Sequence, residues 1–511
     1  MEYKNTPYFK VGRASDLSGS DRILYRFFEI LPGFLSWLTI LGTIFLSMYV
    51  PVVAAYFIIA FDLYWLLKTA YLSVHLRHNW KRIKYNLSID WQDMLYKMKY
   101  EHIIHLIILP YYKESLSVVR QSVKAILDNK YDMKKIALVL ASEERAGEEA
   151  RDVAKTIEGE FGNRFGHFLV TEHPKDLAGE MPGKGSNISY AAEEARKIIL
   201  QKNNIPYEHV IVSAFDVDTV AHKEYFLCLT WHYLTAPEPE RVSFQPVPFY
   251  NNNIWQAPAF SRVAAGSSTF WQMMQQERPE KLATFSSHSV GFKPLYEIGY
   301  WQKNMVSEDS RIFWNLFLAH DGNYSVVPLS YPVSMDANLA PTLWQTAKNV
   351  YRQHRRWMWG VENIPYILMG FVKNKSVPLW TKIRVSFVQM EGFWSLATNP
   401  IMIFFLGWLP VILGGERFNA TILSYNLPLL TRNIMTVAML GLIFSAIIFI
   451  SFLPEKPSSA GRFTKLYMAL QWILIPITIT VFGAIPGLDA QTRLMFGRYM
   501  GFWVTPKHRH E

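Results

Sequence analysis

The stretch "HVIVSAFDVDT", residues 209–219, runs an apolar strand directly into two aspartates at alternate positions. Its apolar part shows no polar alternation, as expected of a strand buried on both faces. Three similar runs precede it: "HIIHLIIL" (102–109), "KIALVLA" (135–141) and "HFLVT" (167–171). Between them "ESLSVVRQSVKAIL", "GEEARDVAKTIEGEF" and "GSNISYAAEEARKIIL" carry helical periodicity. Strands alternating with helices predict an α/β domain with a mainly parallel sheet covered on both faces.

In such a sheet ligands bind beyond the carboxyl ends of the strands. There the chain has "PYYKE" (110–114), "SEERAGEE" (142–149), "PGKGSN" (182–187) and "FDVDT" (215–219). None has the spacing of a P-loop, and no G-x-G-x-x-G follows a strand. Asp216 and Asp218 can turn to one side as the strand frays. Their hard oxygens suit Mg²⁺ or Mn²⁺ on a diphosphate. By itself D-x-D serves equally as a turn or N-cap.

Outward from this domain the chain becomes membrane-like. It is 50% hydrophobic and 18% charged over 511 residues, with net charge +10. One cysteine, Cys228, excludes an internal disulfide and a cysteine-built zinc site. The basic residues gather beside apolar runs ("HLRHNWKRIK", 75–84; "RQHRRW", 352–357), as at cytoplasmic flanks, so no nucleic-acid partner is expected. A span takes about 20 apolar residues. Residues 31–74 fit two spans with a turn near 49–51, and 391–413, 427–453 and 466–486 fit three more.

The expected order follows from these runs. A cytoplasmic segment (1–30) leads to two spans (31–74), a cytoplasmic α/β domain (75–375) and an interfacial helix (376–390). About three spans (391–486) and a basic tail (487–511) complete the chain. Three crossings would leave that tail outside, against its charge. No domain-sized extension for binding a cyclic dinucleotide is read after the last span.

Two further stretches carry chemistry. "MVSEDSRIFWNLFLAHDG" (305–322) opens a helix with Ser307 as N-cap and Glu308 and Asp309 in its first turn. "YRQHRRWMWG" (351–360) puts Gln353, Arg356 and Trp357 on one helix face. Arg352, Arg355 and Trp359 centre roughly 120° away. The first face can meet substrate and the second the membrane.

D-x-D, an acid pair and Q-x-x-R-W, in that order and followed by spans, resemble the membrane-embedded family 2 glycosyltransferases, the group of cellulose, chitin and hyaluronan synthases. The resemblance covers roughly residues 100–511 and implies a nucleotide-sugar-binding domain of the GT-A kind. It implies Asp309 as general base with Glu308 supporting it, Asp218 on a metal ion, and Asp216 on ribose or the metal shell. Glu143 or Glu144 stands where the family has an aspartate facing uracil, a departure that leaves the nucleotide open. Lys184 and Asn187 match a loop that meets diphosphate or ribose, and His288 precedes the acid pair where acceptor is contacted. Arg356 then meets diphosphate, while Trp357 and Gln353 meet an acceptor sugar.

The activity implied is inverting transfer of a hexose from a nucleotide sugar, UDP-linked by analogy, to a growing polysaccharide. Processive export through the membrane domain of a multi-pass protein would follow. Transfer of one sugar to a lipid-linked acceptor is the enzymatic alternative. A nucleotide-binding membrane sensor or partner subunit is the non-enzymatic one.

Overall fold

In the computed structural model residues 7–457 and 461–505 are described, save the side chains of residues 7, 438–440, 442 and 443. The basic residues of the tail from 507 onwards, and part of the loop at 454–465, lie outside them.

The apolar runs form the expected strands: β1 (Ile104–Pro110), β2 (Ile136–Glu143), β3 (His167–His173) and β4 (Val210–Ala214). β1 lies between β2 and β4, with β3 outside β2, and all three pairings are parallel. Helices Leu116–Leu127, Glu148–Phe161 and Lys184–Ala195 supply the connections. Every residue of β2 and β4 is buried, which explains their unbroken Val, Ile and Leu.

Four more strands extend the sheet: β5 (Val220–Ala221), β6 (Val242–Tyr250), β7 (Ser289–Gly291) and β8 (Ser325–Met335). The order is β3-β2-β1-β4-β7-β6-β8-β5. β7 runs antiparallel to both β4 and β6, and β5 antiparallel to β8, so the sheet is mixed rather than parallel throughout. β6 and β8 pair in parallel across a register shift between Gln245 and Val247. Pro246, Pro248, Pro328 and Pro332 interrupt both strands, and Ser330 adopts φ 43°. Proline cannot donate to the ladder, so these strands bulge.

Two long helices, Gly19–Tyr49 and Pro51–Ser88, break at Val50, where Pro51 occupies the first helical position. The second continues through the expected basic flank. Asn79 and Asn86 there bond the bulge of β8, the Asn86 amide donating to the Leu329 and Ser330 carbonyls. The charges within residues 31–74, Asp62 and Lys68, have partners: Asp62 accepts from the Thr431 hydroxyl, and Lys68 meets Glu391 and Ser395.

The expected division of an interfacial helix from a span at 390 does not occur. One helix runs Leu379–Phe404 and bends 52° into Leu406–Leu413. After it come Ile422–Ser451 and a long run, Thr464–Met495. Among the described residues three helices are long and apolar enough to cross a membrane, or four counting the bent pair as one. Thr464–Met495 touches the α/β domain along much of its length. Gln471 accepts from Arg262, the Phe482 carbonyl bonds His354, and Asp489 pairs with Arg355. Its opposite side exposes Leu466, Leu470, Ile473, Ile477 and Ile485.

Candidate active site

The carboxyl end of β4 and the start of the acid-pair helix converge on one ammonium group. Lys184 opens its helix after Gly183, whose φ of 151° is not one an L side chain favours. The side chain is 8% exposed, so it is no solvated helix-start lysine. Its Nζ donates to Asp216 Oδ1 at 2.5 Å and to an Asp309 carboxylate oxygen at 3.0 Å. Burial works against that charge, but Asp216, Asp309 and Glu308 outweigh it and hold the Lys184 pKa above its ordinary value. Gly185 permits the approach: a Cβ there would stand 2.8 Å from the Gln302 carbonyl oxygen and 3.0 Å from Glu308.

The acid pair begins the helix Glu308–Ala319. Ser307 holds the N-cap position without capping through its side chain; its hydroxyl donates to Glu362 at 2.5 Å. Glu362 also accepts from the Ser307 amide and the Trp359 indole. Arg311, fully buried, donates to Asn363, Gln302 and the carbonyls of Val11 and Glu362. The acid pair is thereby fixed to the turn that follows the Q-x-x-R-W helix.

The two acids differ in surroundings. Glu308 is 1% exposed, and its Oε2 finds no hydrogen-bond partner among the described residues. Burial and then the adjacent Asp309 push its pKa well up, against the pull of Lys184 and Arg356. Asp309 meets Lys184 and keeps about a fifth of its side chain exposed. A protonated acid beside a paired carboxylate separates the roles of the two groups.

His288, expected against acceptor, sits instead behind Asp309. It is wholly buried, with Nδ1 3.7 Å from Asp309 and bonded to the Phe285 carbonyl at 3.0 Å. The Trp301 indole donates to Nε2, so the proton is assigned to Nδ1 and the ring is neutral. Burial, with Lys184 nearby, pulls its pKa down to about 4.

Asp216 also accepts from the Ser286 hydroxyl at 2.6 Å, and Asp218 from the Asp336 amide at 2.9 Å. Asn252 ties Asp336 to the Asp218 carbonyl. Asp218 is fully buried, whereas Asp216 keeps 29% of its side chain exposed. Among the described residues no three His, Cys, Asp or Glu side chains form a metal cage. A divalent ion on a substrate diphosphate needs only one or two carboxylates, and an all-oxygen set fits Mg²⁺ or Mn²⁺.

Of the nucleobase candidates, Glu143 is buried and held by Arg145 through two bonds of 2.6 and 3.0 Å. Glu144 turns away to the Lys175 amide. Arg145 stacks over Tyr112 at 4.4 Å, which brings the ends of β1 and β2 together. Asn187 is buried and donates to the Ala141 carbonyl, bracing the end of β2.

The helix Leu343–Met358 forms the floor, capped by the Thr342 hydroxyl. Trp357 packs on Tyr250 with ring centres 5.7 Å apart, and Gln353, Trp357 and Asp336 line one small hollow. The Arg356 Nε is buried without a hydrogen-bond partner among the described residues, and its guanidinium lies over Phe502. The expected grouping of Arg352 with Arg355 does not hold. Arg355 pairs with Asp489 in the membrane block, but Arg352 lies over Trp503, one turn from Arg356.

Ser286, Asp336, Tyr250 and the tail ring Phe502 are the residues missed by reading the sequence. Phe502 covers Gly183, where a Cβ would stand 2.6 Å from its ring. "SSHS" beside His288 and the rings of "GFWVT" were the available signals.

A family model for glycosyl transferase family group 2 matches residues 211–484, from inside β4 through the floor helix into the last membrane-side helix. The chain belongs to this family. It is a glycosyltransferase. It is 24% identical over 186 residues to the poly-β-1,6-N-acetyl-D-glucosamine synthase of Staphylococcus epidermidis, covering 35% of this chain and 40% of that protein. The match thus spans well under half of that relative's length. Among solved structures, the mannosyltransferase PcManGT of Pyrobaculum calidifontis, in complex with GDP-Man and Mn²⁺, is 12% identical at TM-score 0.44. That likeness covers 86% of this chain and 99% of the other. S. aureus TarS 1-349 in complex with UDP-GlcNAc is 10% identical at TM-score 0.35, covering 68% of this chain and 90% of the other.

Proposed function

We propose that this glycosyltransferase moves a hexose unit from a nucleoside diphosphate sugar, UDP-linked, onto a growing glycan with inversion. The observation that carries this is the sharing of Lys184 between Asp216 of the D-x-D and Asp309 of the acid pair. Donor and acceptor machinery meet there within one ion-paired cluster.

An acceptor hydroxyl attacks the anomeric carbon, its proton passes to the Asp309 carboxylate, and the bond from sugar to diphosphate breaks. Glu308, protonated, keeps a second negative charge away from that base. Arg356, whose buried Nε has no partner among the described residues, meets the diphosphate oxygens. Asp218 and Asp216 would hold Mg²⁺ or Mn²⁺, which neutralises charge on the departing diphosphate when bound. Glu143 is better placed than Glu144 for the base edge, while Trp357 and Gln353 receive the acceptor sugar. His288 and Asn187 position their neighbours.

The domain order proposed is two N-terminal spans, the transferase domain on the cytoplasmic side, and a C-terminal membrane block. Phe502 returns to Gly183, so the tail at 501–505 lies on the transferase side. The proposal is accordingly that an even number of crossings follows the domain. In this arrangement the bent pair 379–413 and the helix Ile422–Ser451 supply two, and Thr464–Met495, long and apolar enough to cross, instead lies along the membrane surface, a reading supported by its contacts to Arg262, His354 and Arg355 of the transferase domain. This arrangement removes the conflict between tail charge and parity. The polymer made by the staphylococcal relative favours a polymeric product here, exported beside these helices.

The test uses the full chain in nanodiscs with labelled UDP-glucose, UDP-N-acetylglucosamine and GDP-mannose, following nucleotide release and product length with and without chelator. Release from one UDP-sugar, lost in chelator and restored by Mg²⁺ or Mn²⁺, is expected. No release from any donor would remove the enzymatic reading of this cluster. Full activity in chelator would remove the metal, and single-sugar lipid products would replace the polymer.

A further inference from the structure

A cavity of about 240 Å³ lies behind the acid-pair helix, away from the Lys184 cluster. Its walls are the segment 279–282, the later turns of Glu308–Ala319, residues 322–325 and the first half of Leu379–Phe404. Trp314 and Phe317 form an apolar side, while Lys281, Arg384 and Gln389 contribute polar groups, with one acid, Glu280. Neither Lys281 nor Arg384 has an ion-pair partner among the described residues. Burial and the nearby Arg278 pull the Lys281 ammonium below its ordinary pKa, as befits a cation short of counter-charge.

The helix that closes the cavity also presents Trp380, Ile383 and Phe387 outward, at 73, 51 and 69% exposure. That spacing makes one apolar face at the start of a helix that continues into the membrane block. A tryptophan on that face suits the headgroup level of a bilayer. The cavity therefore opens where anionic headgroups reside, with two cations and an apolar wall.

We infer that this cavity is a binding site for the headgroup and first acyl carbons of an anionic membrane lipid, held by Lys281 and Arg384. A consequence for the transferase site follows from the chain path. The segment forming the wall continues to Thr284, which donates to the Asp309 carbonyl at 2.7 Å, and to Ser286, which donates to Asp216. A headgroup on Lys281 braces the strand of chain that seats both carboxylates. The site thus couples lipid composition to the geometry of the Lys184 cluster.

The experiment labels the full chain in nanodiscs with phosphatidylglycerol carrying a photoreactive group near the headgroup, or with the matching phosphatidylcholine, and maps the labelled peptides. Two cations near a charged surface each contribute enough that about tenfold stronger labelling by the anionic lipid is expected. Labelling should map to 279–285, 313–325 and 384–389. The double variant Lys281→Gln/Arg384→Gln should fall to the phosphatidylcholine level, and Val388→Trp, which keeps both charges but fills the cavity, should also lose labelling. Equal labelling by the two lipids in the wild type overturns the site and depends on no variant folding. Complete competition by inorganic phosphate overturns the lipid assignment in favour of a free-anion site. Because labelling needs no sugar transfer, its failure is distinguishable from failure of the proposed activity.

Discussion

The two halves of the sheet follow different rules. From β3 to β4 the strands are parallel, with β1, β2 and β4 buried and β3 half-buried at the edge, and their ends and loops deliver Glu143, Lys184 and Asp216. From β7 to β5 they are mixed in direction, broken by prolines and bulged at Ser330, and deliver Ser286, Tyr250 and Asp336. The first half is held by its own apolar packing. The second leans on partners distant in sequence: Asn79 and Asn86 from the membrane hairpin, and the floor helix through Trp357. On the proposed roles, Glu143, Lys184 and Asp216 meet the donor from the first half, while the acceptor residues and Arg356 stand on a floor helix shared with the C-terminal helices.

The sharpest way to break this division is Asp309→Asn. If Asp309 is the base, transfer should fall about a thousandfold, the range general-base loss produces, while nucleotide binding stays near wild type. Measuring both in one preparation decides. A nucleotide affinity that falls with transfer would show that the Lys184 cluster, not the acceptor side alone, depends on Asp309.

The floor helix should divide the next largest effects. Arg356→Ala removes a charge-assisted contact from a partly dry site and should lower donor turnover roughly a hundredfold. Trp357→Ala should instead weaken acceptor engagement, by about tenfold at most, since a ring stacks on sugar but cannot bind diphosphate. Donor hydrolysis and chain elongation, assayed separately, report the two. Equal loss in both assays for both variants would erase the distinction.

Glu308 gives the comparison a pH axis. Burial and Asp309 raise its pKa from 4.5 to about 8, so the folded chain keeps a proton that the unfolded chain releases. The associated stability is complete below about 4.5 and is lost as pH rises through about 8. Transfer should decline over the same upper limb, and Glu308→Gln should flatten it, because the amide cannot ionise. A pH–rate profile for the two proteins checks this. An unchanged alkaline limb in Glu308→Gln would assign the titration to another group.

What could be read from the residues tracks the same boundary. β1, β2 and β4 were legible because burial on both faces writes itself as runs of Val, Ile and Leu, and half-buried β3 from its short apolar run alone. β6 and β8 were not, because Pro246, Pro248, Pro328 and Pro332 read as loop, and only pairing across about eighty residues makes them strands. Asp216, Asp309 and Arg356 stood out by motif. Their contacts with Ser286, Lys184 and Phe502 did not, since they cross between segments remote in sequence. Arg352 was placed with Arg355 by wheel geometry, although its i,i+4 relation to Arg356 pointed the other way.

That last pair gives the smallest expected effects and the finest test of the floor. Arg355 pairs with Asp489 at 2.9 Å, but Asp489 also accepts from Arg493 and Tyr351, so one lost cation leaves it partly satisfied. Arg355→Ala should cost about 1 kcal/mol, the upper scale of a partly exposed pair, and lower the thermal midpoint by about one degree with donor hydrolysis retained. Arg352 makes no such pair among the described residues and touches the tail through Trp503. Arg352→Ala should leave the midpoint near wild type and instead loosen residues 501–505 from the cleft. Amide hydrogen exchange of the tail peptide in detergent reads that loosening directly. If Arg352→Ala lowers the midpoint as Arg355→Ala does and leaves tail exchange unchanged, both arginines serve the membrane block, and Arg356 meets the tail alone.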